Sequence, residues 1–217
     1  MLPVILLFAK APVPGKVKTR LQPVLSPEQS AELHSSFVGD ALEWLSGFTS
    51  IVDIELHLNE ATMAWSEFPY RRVLQSEGDL GQRMWNAMQQ AFDEGRKQVL
   101  ILGSDAPTLP AEYLHTLLDS SADVTFGPTE DGGYYAIQIR RLPEGLFDGV
   151  EWSTDRALEQ SVDSARRCGL TVAIGPRWFD IDSPADLVSL VAQPAPPRTT
   201  KWLKANGFLN DQNPECI

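Results

Sequence analysis

Cysteine and long hydrophobic runs are the features that this sequence has least of. Two cysteines occur in 217 residues, Cys168 and Cys216, and their separation matches no metal-binding spacing. A disulfide between them has no support in the sequence, so we expect two free thiols. No stretch approaches the roughly 20 apolar residues that a membrane span requires. Because the apolar start, residues 1–8, also lacks the basic segment of a secretory signal, we expect a cytoplasmic protein with no membrane partner.

Basic residues are also scarce. Eighteen lysines and arginines face 29 aspartates and glutamates, which gives a formal net charge of −11. This charge repels duplex nucleic acid at long range, so a nucleic-acid partner would need a dense basic patch. The densest basic run consists of Lys10, Lys16, Lys18 and Arg20. It is too small for a duplex and large enough for one polyphosphate, so we expect no nucleic-acid partner.

What the sequence does contain is an ordinary globular composition with alternating strand and helix patterns. Hydrophobic residues make up 43% and charged residues 22% of the chain, and its length suits one domain. Apolar runs of strand length, such as residues 4–8 and 99–102, alternate with segments of helical period. This alternation predicts an α/β fold in which helices cover a mostly parallel sheet.

Local signals place the boundaries near the C-terminal end. Ser153 predicts the N-cap of a long helix that reaches Cys168. Residues 193–200 are proline-rich and are typical of a linker. The segment that follows carries apolar residues such as Trp202, so we expect it to dock on its own domain or on a second subunit of a homodimer. We therefore assign residues 1–192 to one domain and residues 193–217 to a linker with a docking tail.

The loop after the first strand, residues 11–20, combines one glycine with three cations. In an open α/β sheet ligands bind beyond the carboxyl ends of the strands, and this loop lies there. Gly15 permits a close turn, and Lys16, Lys18 and Arg20 supply positive charge. The spacing is not that of a Walker loop. The loop is either a solvated basic surface or a phosphate site, and the acidic background favours the phosphate site.

An aspartate follows directly after the apolar strand 99–102, in the segment GSDAPTLP. A carboxylate at the end of a buried strand is costly without a partner, and Mg²⁺ bound by carboxylates and substrate phosphates is a natural one. Asp105 is therefore a candidate metal ligand. The alternative is that Asp105 only caps the turn that Pro107 helps to form.

The segment GPTEDGGYYAI predicts a tight hairpin-like turn that carries Glu130 and Asp131. It is either a plain turn or a turn that brings polar groups to a ligand. Tyr134 and Tyr135 begin the next strand, so one of them faces the ligand side and the other the opposite face. The pattern does not decide which.

The segment FDIDSPADL places two carboxylates two residues apart. In extended chain Asp180 and Asp182 share one face, where they repel unless a cation lies between them or one takes up a proton. Ser183 predicts the cap of the following helix, with Pro184 at its first position, which would leave Asp182 for a metal. A cap formed by Asp182 is the competing interpretation.

Two weaker signals complete the survey. The segment QSEGDLGQRM has two glycines around a helix start, where exposed amides meet a base edge or a phosphate, although a plain helix start needs no function. The three histidines, His34, His57 and His115, lie in helix or strand patterns with no partner in sequence, and we interpret them as structural or surface residues.

Six segments in order resemble a known family. They are FAKAPVPGKVKTRL, GDLGQRM, GSDAPTLP, GPTEDGGYYAI, WST and DIDSPADL, and they cover residues 4–190. Together they are similar to an uncharacterised bacterial family of the nucleotide-diphospho-sugar transferase superfamily, whose members are described as GT-A-type glycosyltransferases. The chain also looks like a distant relative of 2-phospholactate guanylyltransferase and of molybdenum-cofactor guanylyltransferase. The resemblance implies a three-layer α/β/α sandwich of the GT-A type with a mostly parallel mixed sheet.

The resemblance also implies roles for residues. A nucleotide would be held at positions matching the first loop, the GDLG segment and the end of the fourth strand: Ala9, Lys10, Gly15, Lys16, Lys18, Arg20, Gln75, Gly78, Asp79, Gly81 and Ser104. A Mg²⁺ or Mn²⁺ cofactor would be held by Asp105 and Asp182, with Asp180 behind them. Lys18 and Arg20 would share the charge of the departing group, and Glu130 or Asp131 would act as acceptor base.

The function that these observations predict is metal-dependent transfer from a nucleotide-diphospho-sugar donor. The alternative is nucleotidyl transfer, in which a nucleoside monophosphate passes from a triphosphate to a phosphorylated acceptor. A nucleotide-binding regulator without turnover is a further alternative, since a fold does not give a function. Prolines stand in the first loop where nucleotidyltransferases of the superfamily commonly carry glycines, and this departure favours a diphosphate over a triphosphate.

Overall fold

The computed structural model describes residues 1–209 of the chain. Within them a single sheet carries strands β1 (Val4–Ala9), β2 (Asp53–Leu58), β3 (Arg71–Leu74), β4 (Val99–Gly103), β5 (Val124–Pro128), β6 (Tyr134–Ile139) and β7 (Val172–Ile174). The helices are α1 (Pro27–Ser46), α2 (Leu80–Asp93), α3 (Ala111–Leu118), α4 (Ala157–Arg167), α5 (Pro184–Val191) and α6 (Pro197–Ala205). Cys216 lies outside the described residues, and Cys168 is a free thiol among them.

The sheet order is β3-β2-β1-β4-β6-β5-β7. The pairs β1–β2, β1–β4, β2–β3 and β5–β7 are parallel, and β6 is antiparallel to both β4 and β5. The chain therefore leaves β1 toward β2 and β3 on one side, and then returns to place β4 on the other side. The order reverses between β1 and β4, which makes their carboxyl ends the topological switch point of the sheet.

Alternation along the strands distributes the core between two layers of helices. Ile5 and Leu7 of β1 pack on the face that α1 and α3 cover, and Val4 and Leu6 pack on the face that α2 and α4 cover. Both faces of the central strand are buried, as its continuous apolar run indicates. The predicted three-layer α/β/α sandwich with a mostly parallel mixed sheet is thus confirmed. No helix within residues 1–209 has the length and apolarity needed to cross a membrane.

The prediction that Ser153 caps a long helix is wrong. Helix α4 begins at Ala157, with Arg156 at the cap position and no side-chain cap. Ser153 has φ 63°, a left-handed conformation, whereas an N-cap residue is typically extended. The Thr154 hydroxyl donates to the carbonyl of Glu151, so this segment forms a separate turn before the helix.

The proline-rich segment 193–200 is not a linker over its whole length, because its last four residues belong to a helix. Helix α6 begins at Pro197, because proline loses nothing at the first position of a helix. Asp40 of α1 accepts hydrogen bonds from the amides of Arg198 (2.9 Å) and Thr199 (2.8 Å) and from the Thr199 hydroxyl (2.7 Å). Trp202 and Leu203 of α6 are buried in a third apolar cluster. Helix α6 is thereby fixed on α1 by its N-terminus and by its apolar side.

Candidate active site

A cleft opens at the switch point and has two connected halves. The first, which we call the switch-point half, measures about 320 Å³ and lies at the ends of β1 and β4. The second, the hairpin half, measures about 590 Å³ and extends to the β5–β6 hairpin and to residues 152–155. Both halves are lined by the same five residues at their boundary: Lys10, Lys18, Leu80, Asp105 and Asp182.

Lys18 lies at the centre of this boundary. Its side chain is 3% exposed, and its ammonium group contacts Asp105 Oδ1 at 2.5 Å and Asp182 Oδ1 at 2.9 Å. It also donates to the carbonyl of Ile181 at 2.7 Å. The backbone of Lys18 has φ 46° and ψ 38°, a left-handed conformation that is uncommon outside glycine. Strain of this kind clusters at functional sites, and here it directs the ammonium group inward.

The protonation states at the boundary follow from these contacts. Burial alone would lower the pKa of Lys18, but the carboxylates of Asp105 and Asp182 outweigh it and raise the pKa above its ordinary value. Burial likewise works against the charged form of Asp105, while the Lys18 ammonium keeps the pKa of Asp105 below its usual range. Lys18 is therefore a cation held between two carboxylates.

His34 of α1 lies beside this group, and the structure corrects its interpretation as a structural or surface residue without a partner. Its Nε2 lies 2.9 Å from the carbonyl of Lys10 and must donate to it, which leaves Nδ1 as the acceptor in a neutral ring. Nδ1 is buried, accepts no hydrogen bond within the described residues, and lies 3.9 Å from Asp105 Oδ1. Burial lowers the pKa of His34, so the ring is neutral near neutral pH.

The hairpin half has acidic and aromatic walls. Asp131 accepts hydrogen bonds from the Thr129 hydroxyl (2.5 Å) and the amide of Gly133 (3.1 Å), which fix its carboxylate at the hairpin. Tyr134 and Trp152 line this half, with ring centroids 6.4 Å apart. Tyr134 is thus the tyrosine on the cleft side, whereas Tyr135 is buried in the core and donates to the carbonyl of Pro176.

Close backbone approach joins the two walls of the hairpin half. Gly132 has φ +88°, and a Cβ atom at this position would lie 2.0 Å from the carbonyl oxygen of Asp155. The Gly132 carbonyl accepts a hydrogen bond from the amide of Leu158 in α4. Only glycine satisfies both the conformation and the contact. The hairpin and the segment 152–155 therefore hold each other in place.

Asp180 shows that negative charge accumulates on one side of the cleft. Burial, followed by the charges of Asp182 and Asp131, raises the pKa of Asp180 to about 7. Ser183, as predicted, caps α5: its hydroxyl accepts from the amide of Asp186, and the carboxylate of Asp186 accepts from the amide of Ser183, so Asp182 is not the cap. The carboxylate of Asp182 contacts Lys18 instead.

The structure brings together ten of the predicted site residues. Lining the two halves are Ala9, Lys10, Lys18, Arg20, Gln75, Ser104, Asp105, Asp131, Asp180 and Asp182. Six others lie outside that lining: Gly15, Lys16, Gly78, Asp79, Gly81 and Glu130. Lys16 is 65% exposed and lies 3.6 Å from Glu60, and the carboxylate of Asp79 caps α2 by accepting from the amide of Gln82.

Several lining residues were not predicted. Asn59 and Arg83 line the switch-point half, and Trp152, Ser153 and Asp155 line the hairpin half. Asn59 follows β2, so its position just after a strand was a signal for it. Residues 152–154 form the WST segment of the resemblance, but no role was assigned to them, because the left-handed backbone of Ser153 does not show in the sequence.

The chemistry of the carboxylate pair fits a divalent cation. The carboxylates of Asp105 and Asp182 both contact the Lys18 ammonium group, at 2.5 Å and 2.9 Å. Carboxylate oxygens suit Mg²⁺ and Mn²⁺. Within the described residues no three histidine, cysteine or acidic side chains come together as a metal site. Substrate phosphates would therefore have to complete the coordination.

Comparison with known proteins identifies the family. The family model DUF2064, described as an uncharacterized protein conserved in bacteria, matches residues 49–154. A crystal structure of a proposed nucleotide-diphospho-sugar transferase from Desulfovibrio desulfuricans G20 is similar with a TM-score of 0.85, 32% identity and 96% coverage of each chain. A 2-phospho-L-lactate guanylyltransferase from Methanobrevibacter ruminantium is 24% identical over 89% of this chain and 88% of its own.

One further structure shares the fold. The inositol-1-phosphate CTP transferase from T. maritima has a TM-score of 0.59 at 15% identity, with 94% of this chain and 97% of that chain covered. The switch-point cleft and these likenesses define the class: the protein is a transferase. It belongs to the family of the Desulfovibrio protein, within the nucleotide-diphospho-sugar transferase superfamily.

Proposed function

We propose that the protein is a metal-dependent enzyme of the glycosyltransferase type that uses a nucleotide-diphospho-sugar donor. The observation that carries this proposal is the character of the hairpin half. Its walls combine the carboxylates of Asp131 and Asp155 with the rings of Tyr134 and Trp152. Carboxylates accept hydrogen bonds from sugar hydroxyls, and aromatic faces bury apolar ring surface. The cations of this half, Lys10 and Arg20, are taken by the donor's diphosphate in this proposal, so a phosphorylated acceptor would meet the charges of Asp131 and Asp155.

The switch-point half suits the nucleotide of the donor. Gln75, Asn59 and Ser104 offer polar groups around a short apolar floor at the end of β1. Lys10 and Arg20 are exposed at the rim of the cleft, and within the described residues neither side chain forms an ion pair. Their cations are available to the diphosphate, which would lie across the boundary between the halves.

Charge balance supports metal dependence. The lining carries four cationic side chains, Lys10, Lys18, Arg20 and Arg83, and five carboxylates, Asp105, Asp131, Asp155, Asp180 and Asp182. The cleft therefore has no excess of positive charge with which to hold a diphosphate. When bound at Asp105 and Asp182, a divalent cation would supply that charge and stabilise the departing nucleoside diphosphate.

The chain's own residues then have distinct roles. Asp131 is the acceptor base in this proposal, because it lines the cleft and is held in place by Thr129, whereas Glu130 lies outside the lining. Lys10 and Arg20 bind and orient the diphosphate. The hydroxyl of Tyr134 lies 3.4 Å from the buried hydroxyl of Ser161, and burial raises the pKa of Tyr134, so this residue contributes its ring to the wall and keeps its proton.

Nucleotidyl transfer is the second candidate, and the guanylyltransferase relatives favour it. A binding survey with the intact protein separates the two. The protein would be titrated, in the presence of Mn²⁺, with nucleotide sugars, nucleoside diphosphates and nucleoside triphosphates of each base. The same titrations would be repeated with EDTA in place of Mn²⁺. We expect a nucleotide sugar or nucleoside diphosphate to bind more tightly than the matching triphosphate, and binding to weaken strongly when EDTA removes the metal.

Turnover provides the second readout. Incubated without acceptor, the glycosyltransferase reaction predicts slow hydrolysis of the nucleotide sugar to nucleoside diphosphate and free sugar. A preference for the triphosphate, with pyrophosphate released when a phosphorylated acceptor is added, would show nucleotidyl transfer and overturn the proposal.

A further inference from the structure

Lys18 uses all of its hydrogen-bonding capacity within the protein. An ammonium group has three hydrogens, and the three short contacts go to Asp105 (2.5 Å), Asp182 (2.9 Å) and the carbonyl of Ile181 (2.7 Å). Its nitrogen also lies 5.6 Å from the ring centroid of Phe37. In this arrangement Lys18 offers no hydrogen to a phosphate.

The same contacts place the ammonium group of Lys18, which carries a single positive charge, between the carboxylates of Asp105 and Asp182. Divalent cations bind carboxylate oxygens at roughly 2.0–2.6 Å, so Asp105 and Asp182 cannot share such an ion while the ammonium stands between them. Two cations at this spacing would also repel each other. Lys18 is therefore the cation that neutralises the pair in the absence of ligand.

We propose that Lys18 is a displaceable counter-ion: it leaves the carboxylate pair only when a diphosphate accepts its ammonium group, so that the divalent cation and the diphosphate bind as a coupled pair. This inference rests on the diphosphate donor of the proposed function. Lys18 lines both halves of the cleft, so rotation of its flexible side chain exchanges one set of partners for the other. The two carboxylates are then left to a single divalent cation.

The first test measures Mn²⁺ binding without any nucleotide, by the electron paramagnetic resonance signal of free Mn²⁺. Wild-type protein is compared with Lys18→Met, which keeps the length of the side chain and removes its charge. Lys16→Met is the matched control, since Lys16 lies in the same loop and is exposed. We expect Lys18→Met to bind Mn²⁺ about tenfold more tightly or better, within the usual range of coupling between sites. Lys16→Met should equal wild type. Equal affinities of folded Lys18→Met and wild type would overturn the proposal.

The second test uses wild-type protein alone, in case Lys18→Met does not fold without a metal. Pyrophosphate replaces the nucleotide, and the Mn²⁺ affinity is measured with and without it, after subtraction of the Mn²⁺ that pyrophosphate binds in a titration without protein. The proposal requires pyrophosphate to tighten Mn²⁺ binding about tenfold or more. Where Lys18→Met folds, that gain should shrink, because the counter-ion is already gone. An Mn²⁺ affinity that pyrophosphate leaves unchanged contradicts the proposal.

The outcomes separate this inference from the proposed function. Tighter Mn²⁺ binding by Lys18→Met and coupling between Mn²⁺ and pyrophosphate in wild type, together with no turnover of any nucleotide sugar, would leave the role of Lys18 standing and refute glycosyl transfer. Turnover of a nucleotide sugar without such coupling would support glycosyl transfer and refute the role of Lys18 as a displaceable counter-ion.

Discussion

Lys16 and Arg20 lie four positions apart in one loop, but their surroundings differ. Arg20 lines the hairpin half of the cleft, whereas Lys16 points to Glu60 and is 65% exposed. The difference arises at Lys18, where the left-handed backbone turns the chain. Loop position alone therefore does not decide which cation reaches a phosphate.

Substitution of these two residues tests that distinction. Arg20→Ala should weaken binding of a nucleoside diphosphate with Mn²⁺ by about 1.5–3 kcal/mol, the range for a hydrogen bond to a charged group. Lys16→Ala should change it by less than about 0.5 kcal/mol, as for an exposed surface residue. Calorimetric titration gives both values, and nucleoside without phosphate serves as a reference. Equal losses for nucleoside and diphosphate in Arg20→Ala would mean that Arg20 holds the base or the fold.

A second residue pair concerns the acceptor. Asp131→Asn keeps the size of the side chain and its contacts with Thr129 but removes the base, so turnover with acceptor should fall by about 10²–10⁴-fold. The affinity for nucleoside diphosphate should change little, since Asp131 lies in the other half of the cleft. Glu130→Gln is the control and should keep wild-type turnover. If Glu130→Gln is the inactive variant, the base has been assigned to the wrong neighbour.

At the scale of elements, the β5–β6 hairpin and the start of α4 depend on one glycine. Gly132→Ala would bring a Cβ atom against the backbone of Asp155 and would also have to adopt φ +88°. We expect a loss of about 2 kcal/mol or more in the free energy of unfolding. Acceptor-dependent turnover should fall while nucleoside diphosphate binding persists.

Gly149→Ala is the control for Gly132→Ala, because it separates the cost of a positive φ from the cost of a steric clash with Asp155. Gly149 has φ +77°, and a Cβ atom there would meet no atom within 4 Å. It carries the conformational cost alone, so it should destabilise by about 1–2 kcal/mol and keep full turnover. Chemical denaturation and activity assays on both variants check this. A Gly149→Ala protein that loses as much stability as Gly132→Ala would show that contact with Asp155 is unimportant.

At the scale of the whole molecule, helix α6 near the C-terminal end packs against α1 near the N-terminal end. Asp40 is 3% exposed and accepts three hydrogen bonds from Arg198 and Thr199. Asp40→Ala leaves the buried amide and hydroxyl of Thr199 unsatisfied, so unfolding should become easier by about 1–3 kcal/mol. Glu43→Ala, an exposed change on the same helix, should lie within about 0.5 kcal/mol of wild type. Urea denaturation followed by circular dichroism measures both, and equal midpoints would contradict the role of Asp40.

The sequence allowed the sheet, its helices and the edge that carries the cleft to be predicted, because these follow from local periodicity and strand ends. The nearness of Asp105 and Asp182 could be expected on the same ground, since both follow elements of one sheet edge. His34 was missed because its partners, the carbonyl of Lys10 and Asp105, are distant in sequence and meet it only in the fold. The contacts of Lys18 were missed because a left-handed lysine has no compositional signal.

The two halves of the cleft belong to different parts of the sheet. The switch-point half is built at β1 and β4, and the hairpin half at the β5–β6 turn and the residues before α4. They meet at the few side chains around Lys18. Strand β6 of the hairpin pairs with β4 of the other half, so it is the turn between β5 and β6, together with residues 152–155, that can change with least effect on β1 and β4. In the proposed reaction the acceptor contacts this turn, so the turn grafted together with residues 152–155 is the natural unit for redesigning what this scaffold modifies.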